Sequence, residues 1–348
     1  QNLRSAETIG TSSFPERFVG STSSFWGDLV SVNEINSPLG AGWGIAGLQK
    51  LVTTGLDIIL VDGGGSHLLY RAKTLGEVGT FNTGADHRTP IATEFTSPPG
   101  HFATLSPIFQ DVPNGSGFER KLIGYRQTQT DQAVSTFDAN GNLQTVQDRN
   151  GNTTTYQYNA GGHLIGIVDP VGLATTFSYS GNRVSTITDP ANRVTRLDYD
   201  AAGNLTRITN PDNTTRQWDY DGRHHMIGET DQRGNREETF YDLAGRAAGA
   251  VLKDGGKVTL KPSDVVGLFD PKLTSDWHTA PTANDNPFGF NVAEYIGPNG
   301  NVVSVQLDAM GQSLRSFDSL GSLSSTARNA DNLVSETADA VGHVTQYT

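Results

Sequence analysis

The middle of the chain alternates short segments of strand-forming residues with polar turns at a nearly constant interval. An aromatic residue followed by Asp, Asn or Ser recurs every 20 or 21 residues, at Phe137, Tyr158, Tyr179, Tyr199, Tyr220 and Tyr241. The segments between the turns, such as TTTYQY and VSTITD, are rich in Thr, Val, Ile and Tyr, a composition that favours strands. The interval therefore predicts one antiparallel β-hairpin per unit.

A second turn lies halfway through each unit, at Asp148, Asp169, Asp189, Asn210 and Asp231. Gly or Asn follows most of the turn positions after three residues. Asp accepts hydrogen bonds from the backbone just ahead of it, and Gly or Asn tolerates the positive φ that closes the turn. A ribbon of such hairpins cannot bury a face alone, so it must curl, coil or pack on a neighbour. The predicted fold is all-β, with repeated antiparallel hairpins of about 21 residues.

The repeat interval divides the chain into five predicted segments. Residues 1–36 form an N-terminal extended segment, and residues 37–136 form a β region that opens the array. The hairpins occupy 137–256, a Pro-rich plug, loop or docking segment occupies 257–300, and further repeats occupy 301–348. The turns of these further repeats are predicted at Asp308, Asp318, Asn329 and Asp339. Because the sequence ends where the next aromatic residue would stand, we expect a truncated array.

The repeated units resemble the YD repeats of the RHS (rearrangement hot spot) family. The resemblance is carried by DANGNLQTVQDRNGNTTTYQYNAGGHL and YDAAGNLTRITNPDNTTRQWDYDG, and by the opening stretches NSPLGAGWGIAGLQKLV, ILVDGGGS and SPPGHFATL. It extends over roughly residues 33–253 and 302–348. It implies a continuous β-sheet ribbon that spirals into a shell. Such a shell encloses a C-terminal toxin in RHS and toxin-complex proteins, and a related shell serves cell-surface adhesion in teneurins.

The same resemblance draws attention to DPVGL at residues 169–173, because RHS proteins cleave themselves at a D-P-x-G-L boundary. Here the motif lies inside the second repeat, at an ordinary mid-unit turn. Asp169 and Pro170 match Asp189 and Pro190 of the next unit, so turn chemistry explains them. No toxin domain is present, and so few hairpins could hardly close a large shell. We therefore do not expect this chain to enclose a cargo by itself.

Composition and charge narrow the classes of function. A net charge of −12 argues against a nucleic-acid partner, because phosphate binding requires clustered Lys and Arg. The absence of cysteine excludes disulfides, thiolate catalysis and Cys-type zinc sites. No apolar run is long enough to span a membrane. Together with the resemblance, these features predict a bacterial protein that is secreted or displayed at the cell surface.

One stretch has the letters of a dinucleotide-binding motif. GWGIAG at residues 42–47 is followed by the apolar run DIILV and then by Asp62, 20 residues after Gly42. However, a polar segment with Pro38 precedes the motif, where a buried strand is required. The segment that follows is too short for a crossover helix. We predict tight backbone packing around Trp43, and no cofactor.

The other candidate residues also have structural explanations. The Asp138–Asn142 turn has the D-x-N-x-N spacing of a calcium loop but lacks the sixth-position Gly and the distant Glu of an EF-hand. His224 and His225 are not expected to share a metal, because neighbours in a strand point to opposite faces, and both are predicted to lie at the surface. The recurring tyrosines are expected to form a structural ladder, with a sugar-binding face as the alternative.

The sequence thus predicts a structural protein without catalytic, cofactor-binding or metal-binding residues. It would form a β-shell or extracellular scaffold, either self-assembling or part of a toxin-encapsulating polypeptide. Its partners would be other copies of itself, since unpaired strand edges invite strand addition, or the remainder of a longer RHS polypeptide. The alternative is a cell-surface adhesin or carbohydrate-binding module that uses Tyr199 and Trp218. A carbohydrate-active enzyme is the third hypothesis, but no catalytic constellation is visible.

Overall fold

The structure is a computed structural model that describes residues 32–98, 100–243, 245–261, 292–307, 313–318, 320–321, 323–329 and 333–347. The predicted features outside these ranges are most of the N-terminal segment, most of the Pro-rich insert and the turn at Asp308. Within these ranges the regular structure consists of β-strands, every pairing is antiparallel, and none of the chain forms a helix that could cross a membrane. The predicted all-β hairpin fold is confirmed.

The chain divides into two compact units, Asp28–Thr215 and Arg216–Thr348. The first unit opens with six strands, which are β1 Lys50–Thr54, β2 Asp57–Val61, β3 His67–Phe81, β4 Arg88–Thr96, β5 Thr104–Asn114 and β6 Gly117–Thr128. Eight short repeat strands follow, which are β7 Val134–Asp138, β8 Leu143–Gln147, β9 Thr153–Tyr158, β10 Leu164–Val168, β11 Ala174–Ser180, β12 Arg183–Thr188, β13 Val194–Tyr199 and β14 Leu205–Thr209. From β5 to β14 each strand pairs with its neighbours in sequence.

The second unit is a similar succession of paired strands. Its first strand, β15 Thr215–Tyr220, begins at the last residue of the first unit. The others are β16 Met226–Thr230, β17 Arg236–Tyr241, β18 Ala247–Val251, β19 Lys257–Lys261, β20 Val292–Ile296, β21 Val302–Leu307, β22 Ser313–Phe317, β23 Leu323–Arg328, β24 Val334–Ala338 and β25 Val344–Gln346. Because β19 pairs with β20, both described ends of the Pro-rich insert are strands of the ribbon.

Each hairpin whose turn follows one of the recurring aromatic residues contains a β-bulge next to that residue. Tyr199 opposes Leu205 and Asp198 opposes Arg207, so Thr206 is an extra residue in the second strand. The register shifts in the same way next to Tyr179, Tyr220 and Tyr241. A bulge increases the local right-handed twist. One bulge per hairpin therefore gives each ribbon a regular additional twist, which the repeat interval did not reveal.

The interval of 20 residues between Tyr179 and Tyr199 has a local cause. Ser180 pairs directly with Arg183, so only Gly181 and Asn182 connect β11 to β12. Gly181 has a φ of 58°, as a short hairpin connection requires. This hairpin is one residue shorter because a two-residue connection replaces the usual acidic turn.

The main hydrophobic core joins the opening strands to the start of the array. It contains Leu51, Ile58, Leu60, Tyr70, Leu105, Tyr125, Phe137 and Leu143. Strand β3 links the two regions, since its first residues pair with β2 and its last residues pair with β6, which in turn pairs with β7. Inside this core the Gln127 Nε2 donates to the Tyr70 hydroxyl at 2.8 Å. The Gln127 Oε1 accepts from the Gln129 Nε2 at 3.2 Å, so both buried polar side chains have hydrogen-bond partners.

The glycines of the dinucleotide-like motif lie in close backbone contact. A Cβ on Gly44 would be 2.6 Å from the carbonyl oxygen of Gly63, and a Cβ on Gly63 would be 1.5 Å from that of Ile45. Residues 42–49 form turns and are followed by β1, so the strand–turn–helix context of a dinucleotide site is not formed there. Tight backbone packing is present, and Gly63 is the partner that the sequence did not identify.

This packing predicts a large effect of a single methyl group. Gly63→Ala should lower the free energy of unfolding by about 2 kcal/mol or more, because Ile45 cannot move without disturbing the turns of residues 42–49. Gly222→Ala is the matched control, since nothing lies within 4 Å of its added Cβ. Chemical denaturation of both variants measures the difference. Equal stability of the two variants would contradict the close contact.

Candidate functional site

The acidic turns share one pattern of hydrogen bonds. The Asp138 N–H donates to the Asn142 carbonyl at 2.9 Å, and the Gly141 N–H donates to the Asp138 carbonyl at 3.0 Å. The Asp138 Oδ1 accepts from the N–H groups of Asn140 and Asn142 at 2.9 and 2.8 Å. The same two side-chain bonds recur at Asp148, Asn159, Asp169, Asp189, Asp221, Asp231 and Asp339. Each turn thus satisfies its own backbone.

The second carboxylate oxygen binds the side chain four residues later. The partners include Asn142, Asn152, Asn235, Arg193, Arg246, His225 and His343. Bonds from the Asn152 side chain and from the backbone hold the pKa of Asp148 below its usual value of 3.8. The N–H and guanidinium of Arg193 lower the pKa of Asp189 in the same way.

These contacts explain two candidates from the sequence. Both oxygens of Asp138 already face hydrogen-bond donors, and no group of three His, Asp or Glu in the described part of the chain could hold a metal ion. The Asp169 Oδ1 accepts from Val171 and Leu173 at 3.0 and 2.8 Å, as in the other turns. The turn explanation of the DPVGL motif is confirmed.

The tyrosine ladder (Tyr158, Tyr179, Tyr199, Tyr220 and Tyr241) uses its hydroxyl groups to join hairpins. The hydroxyls of Tyr179, Tyr199 and Tyr241 each donate at 2.8 Å to a backbone carbonyl 15 residues upstream, at Leu164, Val184 and Met226. The acceptor is the first or second residue of the second strand in the preceding hairpin. Burial raises the pKa of Tyr241 to about 12, with a further contribution from Asp221. These bonds support the structural role.

The ladder tyrosines and the residues two positions before them offer little exposed surface on which a sugar could stack. The residues two positions before the tyrosines, Phe177, Leu197 and Trp218, are buried, and Trp218 is only 3% exposed. The ladder tyrosines are half-buried. A sugar ring would need an exposed aromatic face, so Tyr199 and Trp218 do not form the sugar-binding surface considered from the sequence.

Residues 37–51, which we call the opening strap, lie across several hairpins of the first unit. The Val184 N–H donates to the Pro38 carbonyl at 2.8 Å, and the Arg183 guanidinium donates to the Ser37 carbonyl. Gly40 packs closely on Leu205, since an added Cβ would lie 2.9 Å from the Leu205 N. At its other end the Leu51 N–H donates to the Gly141 carbonyl at 2.8 Å. The strap thus connects the third and fourth hairpins to the first.

The surface prediction for the histidine pair is wrong for His225, whose side chain is 3% exposed. Its Nδ1 lies 2.9 Å from the Asp221 Oδ2, and its ring stacks on Tyr241 with the ring centroids 4.6 Å apart. His224 has a φ of 67°, so the pair lies in a turn and the strand argument does not apply. The burial does not follow from the position of the histidine four residues after a turn Asp, since His343 has the same position relative to Asp339 and its side chain is 83% exposed. His163 stacks on Tyr179 in the same way as His225 on Tyr241, at 4.7 Å.

Repeated bulged hairpins closed by acidic turns define a repeat-built all-β protein. Four overlapping matches to the RHS Repeat family model cover residues 137–174, 158–194, 177–215 and 199–236. Residues 137–236 therefore match the RHS repeat, and in this region the resemblance found in the sequence is confirmed.

Similar solved structures are much longer than this chain. One is the crystal structure of TcdB2-TccC3-Cdc42, with 13% identity, a TM-score of 0.35 and coverage of 84% of this chain and 20% of that chain. Another is the Photorhabdus luminescens Tc holotoxin pore, with 10% identity, a TM-score of 0.22 and coverage of 85% and 22%. The chain thus spans about a fifth of their length. No curated protein matches the chain.

The lowered carboxyl pKa values predict a stability that depends on acid pH. Asp148 contributes fully above its unfolded pKa of 3.8, and the contribution is lost as the pH falls through its lower folded value. Asp148→Asn keeps an acceptor oxygen, as at Asn159, but cannot titrate. We therefore expect the free energy of unfolding in urea to fall less steeply for the variant than for the wild type as the pH is lowered from neutral to below the pKa of the free carboxyl group. If the free energy of unfolding depends on pH equally in the variant and the wild type, the Asp148 carboxylate does not make these hydrogen bonds.

The ladder predicts a specific role for a single hydroxyl. Tyr199→Phe should lower the free energy of unfolding by about 1 kcal/mol, because the Val184 carbonyl loses its donor. Tyr295→Phe is the control, because that side chain is 43% exposed and its loss should cost little. Thermal and urea unfolding compare the two variants. An equal loss in both would show that the hydroxyl bond does not join the hairpins.

Proposed function

We propose that this RHS-repeat chain is a non-enzymatic scaffold segment of a protein secreted or displayed by a bacterium. Its ribbon would be extended by other copies of the chain or by further repeats of a longer polypeptide. In such a longer polypeptide, additional hairpins would close a shell around a toxin. The family match and the all-β hairpins support the scaffold role.

This proposal rests on one observation, which is that the recurring polar side chains form hydrogen bonds within the ribbon. The turn carboxylates bind their own turns, and the hydroxyls of Tyr179, Tyr199 and Tyr241 bind the preceding hairpin. The residues that recur most regularly therefore hold hairpins together. A catalytic or binding surface would instead present such groups to a ligand.

The strand edges suggest where the ribbon would be extended. Strand β4 pairs only with β3 and contains Pro90, and β5 pairs only with β6 and contains Pro107 and Pro113, among the described pairings. Proline lacks an N–H donor and protects an edge from strand addition. Strand β1 has no proline, but besides its partner β2 it contacts the first repeat turn through the Lys50–Asn142 bridge and the bond from the Leu51 N–H to the Gly141 carbonyl. Strand β25 has no proline either, and its described partner is β24. We therefore assign the extension to β25.

The register identifies the groups that an added strand would use. The Tyr347 N–H donates to the Ser335 carbonyl at 2.9 Å. Because donors alternate along an antiparallel strand, the N–H groups of Val344 and Gln346 point away from β24. Val344→Pro would remove one outward donor while leaving the bonds to β24 in place.

Mass measurement in solution, followed by imaging of the same sample, tests self-assembly at this edge. We expect the wild-type chain to associate with rising concentration, and Val344→Pro to remain a monomer of 37.2 kDa. Val344→Thr keeps the N–H and should associate like the wild type. If the wild-type chain stays monomeric, other copies of the chain do not extend the ribbon, and only further repeats of the same polypeptide could do so. Turnover of polysaccharides by the purified chain would contradict the non-enzymatic role.

A further inference from the structure

Asparagine is followed directly by glycine at four places in the chain. The pairs begin at Asn114, Asn140, Asn150 and Asn299, and all four asparagine side chains are exposed. In such a pair the backbone nitrogen of the glycine can attack the Cγ of the asparagine, because glycine has no side chain to block the approach. Exposure does not distinguish the four pairs, so their reactivity depends on what the glycine N–H is bound to.

Three of the glycines use their N–H to close a turn, and each donates to the backbone carbonyl three residues upstream. These bonds run from Gly141 to Asp138 at 3.0 Å, from Gly151 to Asp148 at 3.1 Å and from Gly300 to Gly297 at 2.9 Å. A nitrogen in such a bond must give up the bond before it can lose its proton and approach the Cγ. The turn therefore protects the asparagine that precedes the glycine.

The fourth glycine, Gly115, lies in a different kind of turn. Asn114 pairs with Gly117, so only Gly115 and Ser116 connect β5 to β6. Gly115 has a φ of 63° and the φ of Ser116 is not positive, as in a type II′ hairpin turn. Among the described residues the Gly115 N–H has no acceptor, and nothing lies within 4 Å of an added Cβ. This nitrogen is therefore unbonded and open to solvent.

We propose that Asn114 is a site of spontaneous deamidation, with water as the only co-reactant. The Gly115 nitrogen loses its proton to solvent and attacks the Asn114 Cγ. The bond from Cγ to the side-chain nitrogen breaks, and this nitrogen takes up a proton and leaves as ammonia. Water then adds to one carbonyl carbon of the resulting succinimide ring and opens it. The product is either aspartate or isoaspartate, in which the main chain runs through Cβ and Cγ.

The modified residue lies beside the contact between two hairpin turns. The Ser116 hydroxyl donates to the Asn82 carbonyl at 3.1 Å, and a Cβ on Gly117 would lie 1.9 Å from the Phe81 carbonyl oxygen. Phe81 also stacks on Phe118, with the ring centroids 4.9 Å apart. Isoaspartate inserts a backbone carbon next to this close packing, so the reaction should loosen the contact irreversibly. The modification does not depend on the scaffold role, and failure of either proposal would leave the other unaffected.

Incubation of the folded full chain in ¹⁸O-labelled water at mildly alkaline pH tests the proposal. Cleavage after Lys and Arg then places the four pairs on different peptides, and Asn114 lies in residues 89–120. Mass spectrometry measures the labelled carboxylate in each peptide. Asn299 is the matched control, because the sequence Pro–Asn–Gly surrounds both residues. We expect Asn114 to react about tenfold faster, since one hydrogen bond protects Asn299. Equal rates would overturn the proposal.

Unfolding and substitution separate the effect of the turn from that of the local sequence. In guanidinium chloride the bond of the Gly300 N–H is lost, so Asn299 should react as fast as Asn114. A difference that persists in the unfolded chain would contradict the assignment, because flanking residues would then set the rate. Asn114→Gln should abolish the reaction in residues 89–120, whereas Asn299→Gln should leave it unchanged. Labelled carboxylate in residues 89–120 of Asn114→Gln would overturn the proposal, because another amide would be its source.

Discussion

Most of the described repeat turns depend on one closed arrangement, in which a turn carboxylate or amide oxygen accepts two N–H groups of its own turn. At Asp138 these donors are Asn140 and Asn142, and Gly141 adopts the left-handed conformation that brings them into reach. Because the turn satisfies its own polar groups, it needs no support from a packed neighbour. The strands between the turns can then be short and polar, and a hairpin can be repeated without a large core.

Association between hairpins depends on features that the turns do not provide. The tyrosine hydroxyls reach the carbonyl 15 residues upstream, and the bulge lies beside the same tyrosine. In the fourth hairpin, Thr206 is the extra residue next to the Tyr199–Leu205 pair. The bulge therefore twists the ribbon at the point where the ring is buried. The strap adds a long-range connection, because Pro38 accepts from Val184 in the third hairpin.

The sequence predicts the turns well because few residue types can make them. Only Asp or Asn supplies the acceptor, and mostly Gly or Asn supplies the positive φ, so positions such as Asp169 and Gly172 are recognisable without a structure. The strap contact to Val184 joins residues far apart in sequence, and no local pattern encodes it. The burial of His225 was missed because the strand alternation rule was applied to a turn. The unbonded N–H of Gly115 arises from the register of β5 with β6, which an Asn–Gly pair in the sequence does not reveal.

The departures from the repeat are more informative about function than the repeat itself. Residues that follow the pattern are explained by their own turn or by the neighbouring hairpin. At the short connection through Gly181, the next two residues, Arg183 and Val184, contact the strap. The short connection is therefore explained by a contact outside the repeat, since Arg183 and Val184 both donate to carbonyl groups of the strap. The connection through Gly115, in the opening strands, also lacks an acidic turn, and its unbonded glycine N–H makes Asn114 reactive.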